Sequence, residues 1–124
     1  MASRPLNTRH QVITNGNMAA SITSEVTIIT NLSMISYSVS WAGSTPVGTI
    51  SVEVSNDYKL DASGAVSNSG TWTALTLSAS TAVSGNTGTG FIDIVQTSAY
   101  AIRMKYTRSS GTGTMQAFIN AKVA

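Results

Sequence analysis

Few side chains in this 124-residue chain could carry acid, base or nucleophilic chemistry. His10 is the sole histidine, cysteine is absent, and Asp plus Glu number five. A general base must lie within hydrogen-bond reach of the proton it takes, and no acid stands near His10 in sequence to orient it. Hydroxyls abound, with 19 Ser and 17 Thr. A hydroxyl attacks only when a base activates it, and no G-x-S-x-G turn is present. Asp57, Asp61 and Asp93 are the candidates for a glycosidase pair, whose two acids stand about 5–9.5 Å apart across a cleft. Sequence alone does not set that spacing. The reading is a protein with no catalytic residues, not an enzyme.

Binding chemistry is nearly as sparse. Residues 56–61, Asn-Asp-Tyr-Lys-Leu-Asp, place two acids four apart in a loop, where carboxylates and carbonyls can hold Ca²⁺. The order of an EF-hand loop is missing and Lys59 separates the acids, so a polar turn bonded to its own backbone is the better expectation. Residues 85–90, Gly-Asn-Thr-Gly-Thr-Gly, lead into the strand-like Phe91-Ile92-Asp93-Ile94. A phosphate cradle needs a helix start there instead. No metal and no cofactor is expected. Asn31-Leu32-Ser33 matches the glycosylation triplet, which without a secretory signal is read as chance.

The net charge is +2, with the cations thinly spread: Arg4, Arg9, Lys59, Arg103, Lys105, Arg108 and Lys122. Nucleic-acid binders carry dense basic patches interleaved with aromatic residues, so this distribution argues against nucleic acid. Arg103 and Lys105 share a strand face with Thr107, and Arg108 follows. That face either meets an acidic partner or forms a solvated edge strand. Trp41 and Trp72 could serve as sugar platforms, although aromatic residues in alternating strands are more often core.

The elements that position these residues are strands. Ile35, Tyr37, Val39 and Trp41 alternate with Ser36, Ser38 and Ser40; Ile50, Val52 and Val54 alternate with Ser51 and Glu53. Tyr100 to Thr107 and Thr114 to Val123 repeat the pattern, with Phe118 the one apolar residue on a polar face. A period of two puts one set on each face of a sheet. Gln11 to Thr14 and Ile22 to Leu32 are less regular strand candidates. Phe91 to Val95 is apolar on both parities, as in a strand covered on both faces. The parity slip over 71–77 suggests a β-bulge. Residues 42–46 read as a turn and 109–113 as a hairpin turn, while 56–70 and 78–90 are long loops of the kind that make contacts.

The fold expectation is all-β: a two-sheet antiparallel β-sandwich, jelly-roll-like, of about eight strands. Residues 1–10 read as an extended N-terminal arm and 11–124 as a single β-sandwich domain, a size usual for one domain. The lack of cysteine excludes a disulfide scaffold and thiolate metal sites. No apolar run has the length of a membrane span, and the start lacks the apolar stretch of a signal peptide, so no membrane partner is expected.

The second half carries a further pattern. Gly48-Thr49-Ile50-Ser51-Val52-Glu53-Val54-Ser55-Asn56-Asp57 is followed by Thr71-Trp72-Thr73-Ala74-Leu75, Phe91-Ile92-Asp93-Ile94, residues 99–108 and Gly111-Thr112-Gly113-Thr114 up to Lys122. Over residues 32–122 this resembles small single-domain virion structural proteins of tailed bacteriophages. The strand order also looks like the discoidin or galactose-binding jelly roll, without the cysteine pair many discoidin domains carry. The phage resemblance implies a bacteriophage structural protein located on the virion. Its expected role is a capsid decoration (cement) protein that stabilises the head through multivalent contacts. The expected partners are the major capsid protein or other virion proteins, with a homo-oligomer, most simply a homotrimer. The residues expected at the partner surface are Arg4, Arg9, Tyr58, Lys59, Arg103, Lys105 and Arg108. The alternative is a carbohydrate-binding or adhesive module of a phage tail appendage, with Trp72 or Tyr58 exposed in a loop cleft.

Overall fold

Two strands organise the molecule, and each is far longer than its alternating sequence runs. In the computed structural model, which describes residues 7–30, 32, 34–77, 82–95 and 97–122, Met34–Ser55 is one 22-residue strand, β4. Ala101–Lys122 is a second of 22 residues, β10. They pair antiparallel along their whole length, from Ala101 opposite Ser55 to Lys122 opposite Met34. A straight strand of that length would reach about 70 Å, several times the radius of gyration of about 14 Å for a globule of this size. The pair must therefore bend, and it does so where the register shifts between Arg108, Ser110 and Thr112. Thr45 (φ 48°) and Gly111 (φ 79°) supply the left-handed backbone at the corner.

This corrects the expected turns at 42–46 and 109–113. Neither reverses the chain. Their Gly, Ser and Pro residues instead bend two continuous strands from one layer into the other, a known way of making the corner of a β-sandwich.

Around this frame the remaining strands form two layers of one antiparallel eight-stranded sheet. The first layer runs β1 (Asn7–Asn17), the second half of β10, the first half of β4, then β9 (Thr87–Val95). The second layer has β2 (Ile22–Thr23) and β3 (Thr27–Ile28) beside the first half of β10. It continues through the second half of β4 to β7 (Thr73–Ala74) and β8 (Ala82–Val83). A separate hairpin, β5 (Lys59–Leu60) with β6 (Val66–Asn68), decorates the long loop after β4. The architecture is thus the all-β antiparallel sandwich expected from the alternation.

The buried faces pool into one core. Ile35, Tyr37, Val39 and Trp41 of β4 and Met115, Ala117, Ile119 and Ala121 of β10 come from the first layer. Ile50, Val52, Ile102, Met104 and Tyr106 come from the second. Each fully buried Val, Ile or Met among them contributes roughly 1.5–3 kcal/mol, so the period-two pattern fixes which face turns inward.

Several local expectations change. Residues 7–10 belong to β1 rather than to an arm, with Asn7 opposite Lys122 and His10 opposite Ile119, because β10 offers them a complete ladder. Residues 1–6 lie outside the described residues. The slip over 71–77 marks no bulge but a segment with only a two-residue strand, after which Leu75 and Leu77 pack on the core. Phe91 is 61% exposed, so β9 is not covered on both faces. The strand bearing Arg103 and Lys105 is interior to the sheet rather than an edge, with β4 on one side and β2 and β3 on the other.

Candidate partner-binding surfaces

The cations expected at a partner surface divide by element. Arg103 and Lys105 stand on the outer face of the second layer, opposite Glu53 and Ser51 of β4. Arg103 donates through Nε to Glu53 Oε1 at 2.8 Å, and its guanidinium lies 4.2 Å from the Trp72 ring centroid. Tyr58 packs on the same indole, with ring centroids 5.8 Å apart. Trp72 is therefore neither core nor an open platform; Arg103 and Tyr58 cover it, and its Nε1 donates to the Ser69 carbonyl at 2.8 Å. Trp41, by contrast, is core at 8% exposure. Arg108 lies at the corner, where its Nε donates to the Gly111 carbonyl at 2.9 Å. Lys59 is exposed on β5. Arg9 sits on the other layer, 5.8 Å from the Phe118 ring centroid. Arg4 lies outside the described residues. The structure thus brings Tyr58 and Arg103 together around Trp72 and leaves Arg9 on the opposite layer.

The loop acids serve their own loop. Asp57 accepts from Thr71 N (2.6 Å), Ser55 Oγ (2.7 Å) and Thr71 Oγ1 (2.9 Å). These bonds, the Thr71 amide foremost, hold its carboxyl below the ordinary value of 3.8. Asp61 accepts from Ser63 Oγ, Ser63 N and Ala65 N at 2.6–3.0 Å, and the Ser63 hydroxyl leads the same downward shift. This is the polar-turn geometry that Asp favours. His10 Nε2 is 2.7 Å from Glu25 Oε2, and both side chains are more than half exposed.

A surface that the sequence did not single out lies on the outer face of the first layer. Phe91 on β9, Ser38 on β4 and Phe118 on β10 stand side by side, and Gln11 of β1 completes the row. Thr89, Ser40 and Gln116 form the next row. The two aromatic residues flank a floor of small hydroxyls, giving a groove of about 460 Å³ lined by Ser38, Ser40, Thr89, Phe91, Gln116 and Phe118. Gln116 is held rigidly: its Oε1 accepts from Gln11 Nε2 and Asn15 N, both at 2.9 Å, and its Nε2 donates to Asn15 Oδ1 at 2.5 Å. Two signals in the sequence point to this groove: Phe118 breaks the polar face of its strand, and Phe91 breaks the parity of its own.

No protein-family model matches the chain, and no curated protein matches it. Solved structures do share its fold. The SPBc2 prophage-derived protein YomS superposes with a TM-score of 0.50 at 11% identity, over 97% of this chain and 97% of YomS. A chain in the structure of infectious bursal disease virus, Gx strain, superposes with a TM-score of 0.51 at 11% identity. That match takes in 98% of this chain and 32% of the viral one, so the chain spans about a third of its length. The fold is therefore one found both in a prophage-derived protein and in part of a virus structure. The discoidin likeness has no counterpart in these two neighbours.

Proposed function

We propose that this chain is a non-enzymatic structural protein of a virion, acting as a capsid decoration (cement) protein of a bacteriophage. The observation that carries the reading is the fold shared with the prophage protein YomS along nearly the full length of both chains. The physics of the surface supports it. Small hydroxyls line the outer face of β4 at Ser36, Ser38, Ser40, Thr49 and Ser51, and the acids of the long loop are spent on holding that loop in shape. Rigid display of weak contact surfaces suits a protein that binds a symmetric shell, where many copies acting together supply avidity. Shell symmetry favours a cyclic oligomer, most simply a trimer. The contacts with the shell subunit come from the N-terminal residues, from Tyr58 and Lys59 on the long loop, and from Arg103, Lys105 and Arg108.

Co-sedimentation with purified particles that lack the protein tests this. Binding in a fixed ratio to the shell subunit is the expected result, and a chain that stays in the supernatant at every particle concentration overturns the reading. Because residues 7–9 belong to β1, the arm is tested by deleting residues 2–6 alone. Unchanged particle binding by that variant removes the arm from the contact surface.

A further inference from the structure

The geometry points to the groove between Phe91 and Phe118 as a binding site for a neutral saccharide. Three features of the groove define the ligand. First, none of its lining side chains is charged; Asp93 and Arg9 stand in the neighbouring row, opposite Ser36 and Asn120, with the Arg9 guanidinium 5.8 Å from the Phe118 ring centroid. The neighbouring row holds one charge of each sign, so it selects neither an anion nor a cation, and the lining itself offers a charged ligand no partner for the hydration it would lose. Second, the walls are aromatic. Phe91 and Phe118 stand on the strands either side of β4, so their Cα atoms are about 10 Å apart. The electron-rich faces of such rings attract weakly polarised C–H groups, which a pyranose presents on its flat sides. Third, the floor and rim offer short hydroxyls from Ser38, Ser40 and Thr89 beside the fixed amide of Gln116. One Nε2 hydrogen of that amide bonds Asn15, which leaves the second free to donate.

A peptide suits this groove less well. The backbone of the floor is already paired on both sides, to β9 and to β10, so an added peptide would find no ladder for its own amides and would bury them poorly paired. A saccharide carries hydroxyls around its whole edge and needs only side-chain partners. The volume of about 460 Å³ falls within the usual range for small-ligand sites. Such a groove can work on a head or a tail appendage alike, so it stands or falls separately from the cement role.

The test is a titration of isotope-labelled protein with neutral tetrasaccharides of glucose, galactose, mannose and N-acetylglucosamine, followed by backbone amide shifts. At least one of them should move the amides of Ser38, Ser40, Thr89, Phe91, Gln116 and Phe118 at concentrations up to about 10 mM, the regime of weak single-site binding. Phe91→Ala and Phe118→Ala should each weaken that binding about tenfold or more while melting as the parent does. Val66→Ala, at an exposed residue of β6, should bind as the parent does. The proposal is overturned if no saccharide shifts these amides, or if the shifts map to another face. It also fails if Phe91→Ala turns an oligomer of the chain into monomers, because the groove then belongs to a second copy.

Discussion

Gly43 and Gly113 face each other across the β4–β10 pair at the corner where both strands pass between layers. A Cβ on Gly43 would overlap the Gly113 Cα and the Thr112 carbonyl, and one on Gly113 would come within 2.7 Å of the Ala42 carbonyl oxygen. Their role is close approach of two backbones, so any side chain forces the strands apart where they cross between layers. Gly43→Ala should destabilise the protein by about 1–3 kcal/mol, the usual range for overpacking. Ala42→Ser, at an exposed neighbour, should stay within about 0.5 kcal/mol of the parent. Urea denaturation of the two variants checks this.

Arg103 joins three elements, through Glu53 on β4 and through the Trp72 indole of the long loop. Its side chain is 24% exposed, so the pair is partly shielded from solvent screening. Arg103→Ala should cost about 1–2 kcal/mol. Arg103→Lys should recover only part of that, because an ammonium keeps the charge but not the flat stack. Trp72 emission should move to longer wavelength in the alanine variant, with buried Trp41 unaffected.

Tyr37 and Tyr106 are both fully buried, yet their hydroxyls differ. Tyr106 donates to the Val47 carbonyl at 3.1 Å beside the corner. The Tyr37 hydroxyl has no partner among the described residues, and burial raises its pKa. Tyr106→Phe should therefore cost about 0.5–1.5 kcal/mol. Tyr37→Phe should be neutral or stabilising by up to about 1 kcal/mol. Thermal melts of the two variants separate these outcomes.

The long loop should loosen in acid before the sandwich does. Asp57 and Asp61 titrate below 3.8 in the folded protein. Their contribution is therefore complete above the unfolded carboxylate range and is lost as the pH falls through the folded values. Amide hydrogen exchange in residues 57–71 should be flat from neutral pH down to about 4, after correction for intrinsic rates, and should rise below that. Asp57→Ala should show the faster exchange already at neutral pH.

Much of this fold is legible in the chain because β alternation is a local signal. Tyr37, Val52, Met104 and Ile119 each fall on the inner parity of their run, and all are fully buried. The corner is not legible. Gly, Ser, Thr and Pro mark a tight turn and a bend in a continuing strand alike, and only the partner strand decides between them. Residues 7–10 are not legible as a strand for a similar reason: Arg9 and His10 have no apolar period of their own, and their ladder is supplied by β10, more than a hundred residues later. Trp72 reads as core from its aromatic type, because the sequence does not show the guanidinium of Arg103 lying against it. Phe118 was visible as an exception to a polar face, but its pairing with Phe91 across Ser38 exists only once β9 and β10 flank β4.

The cement role is tested most directly by heating particles with and without the chain and recording the temperature at which the genome is released. Particles depleted of the chain should release earlier, and adding the purified protein back should restore the higher temperature in proportion to the sites filled. Equal release temperatures for depleted and restored particles, with the chain shown to be bound, would contradict a stabilising role on the shell.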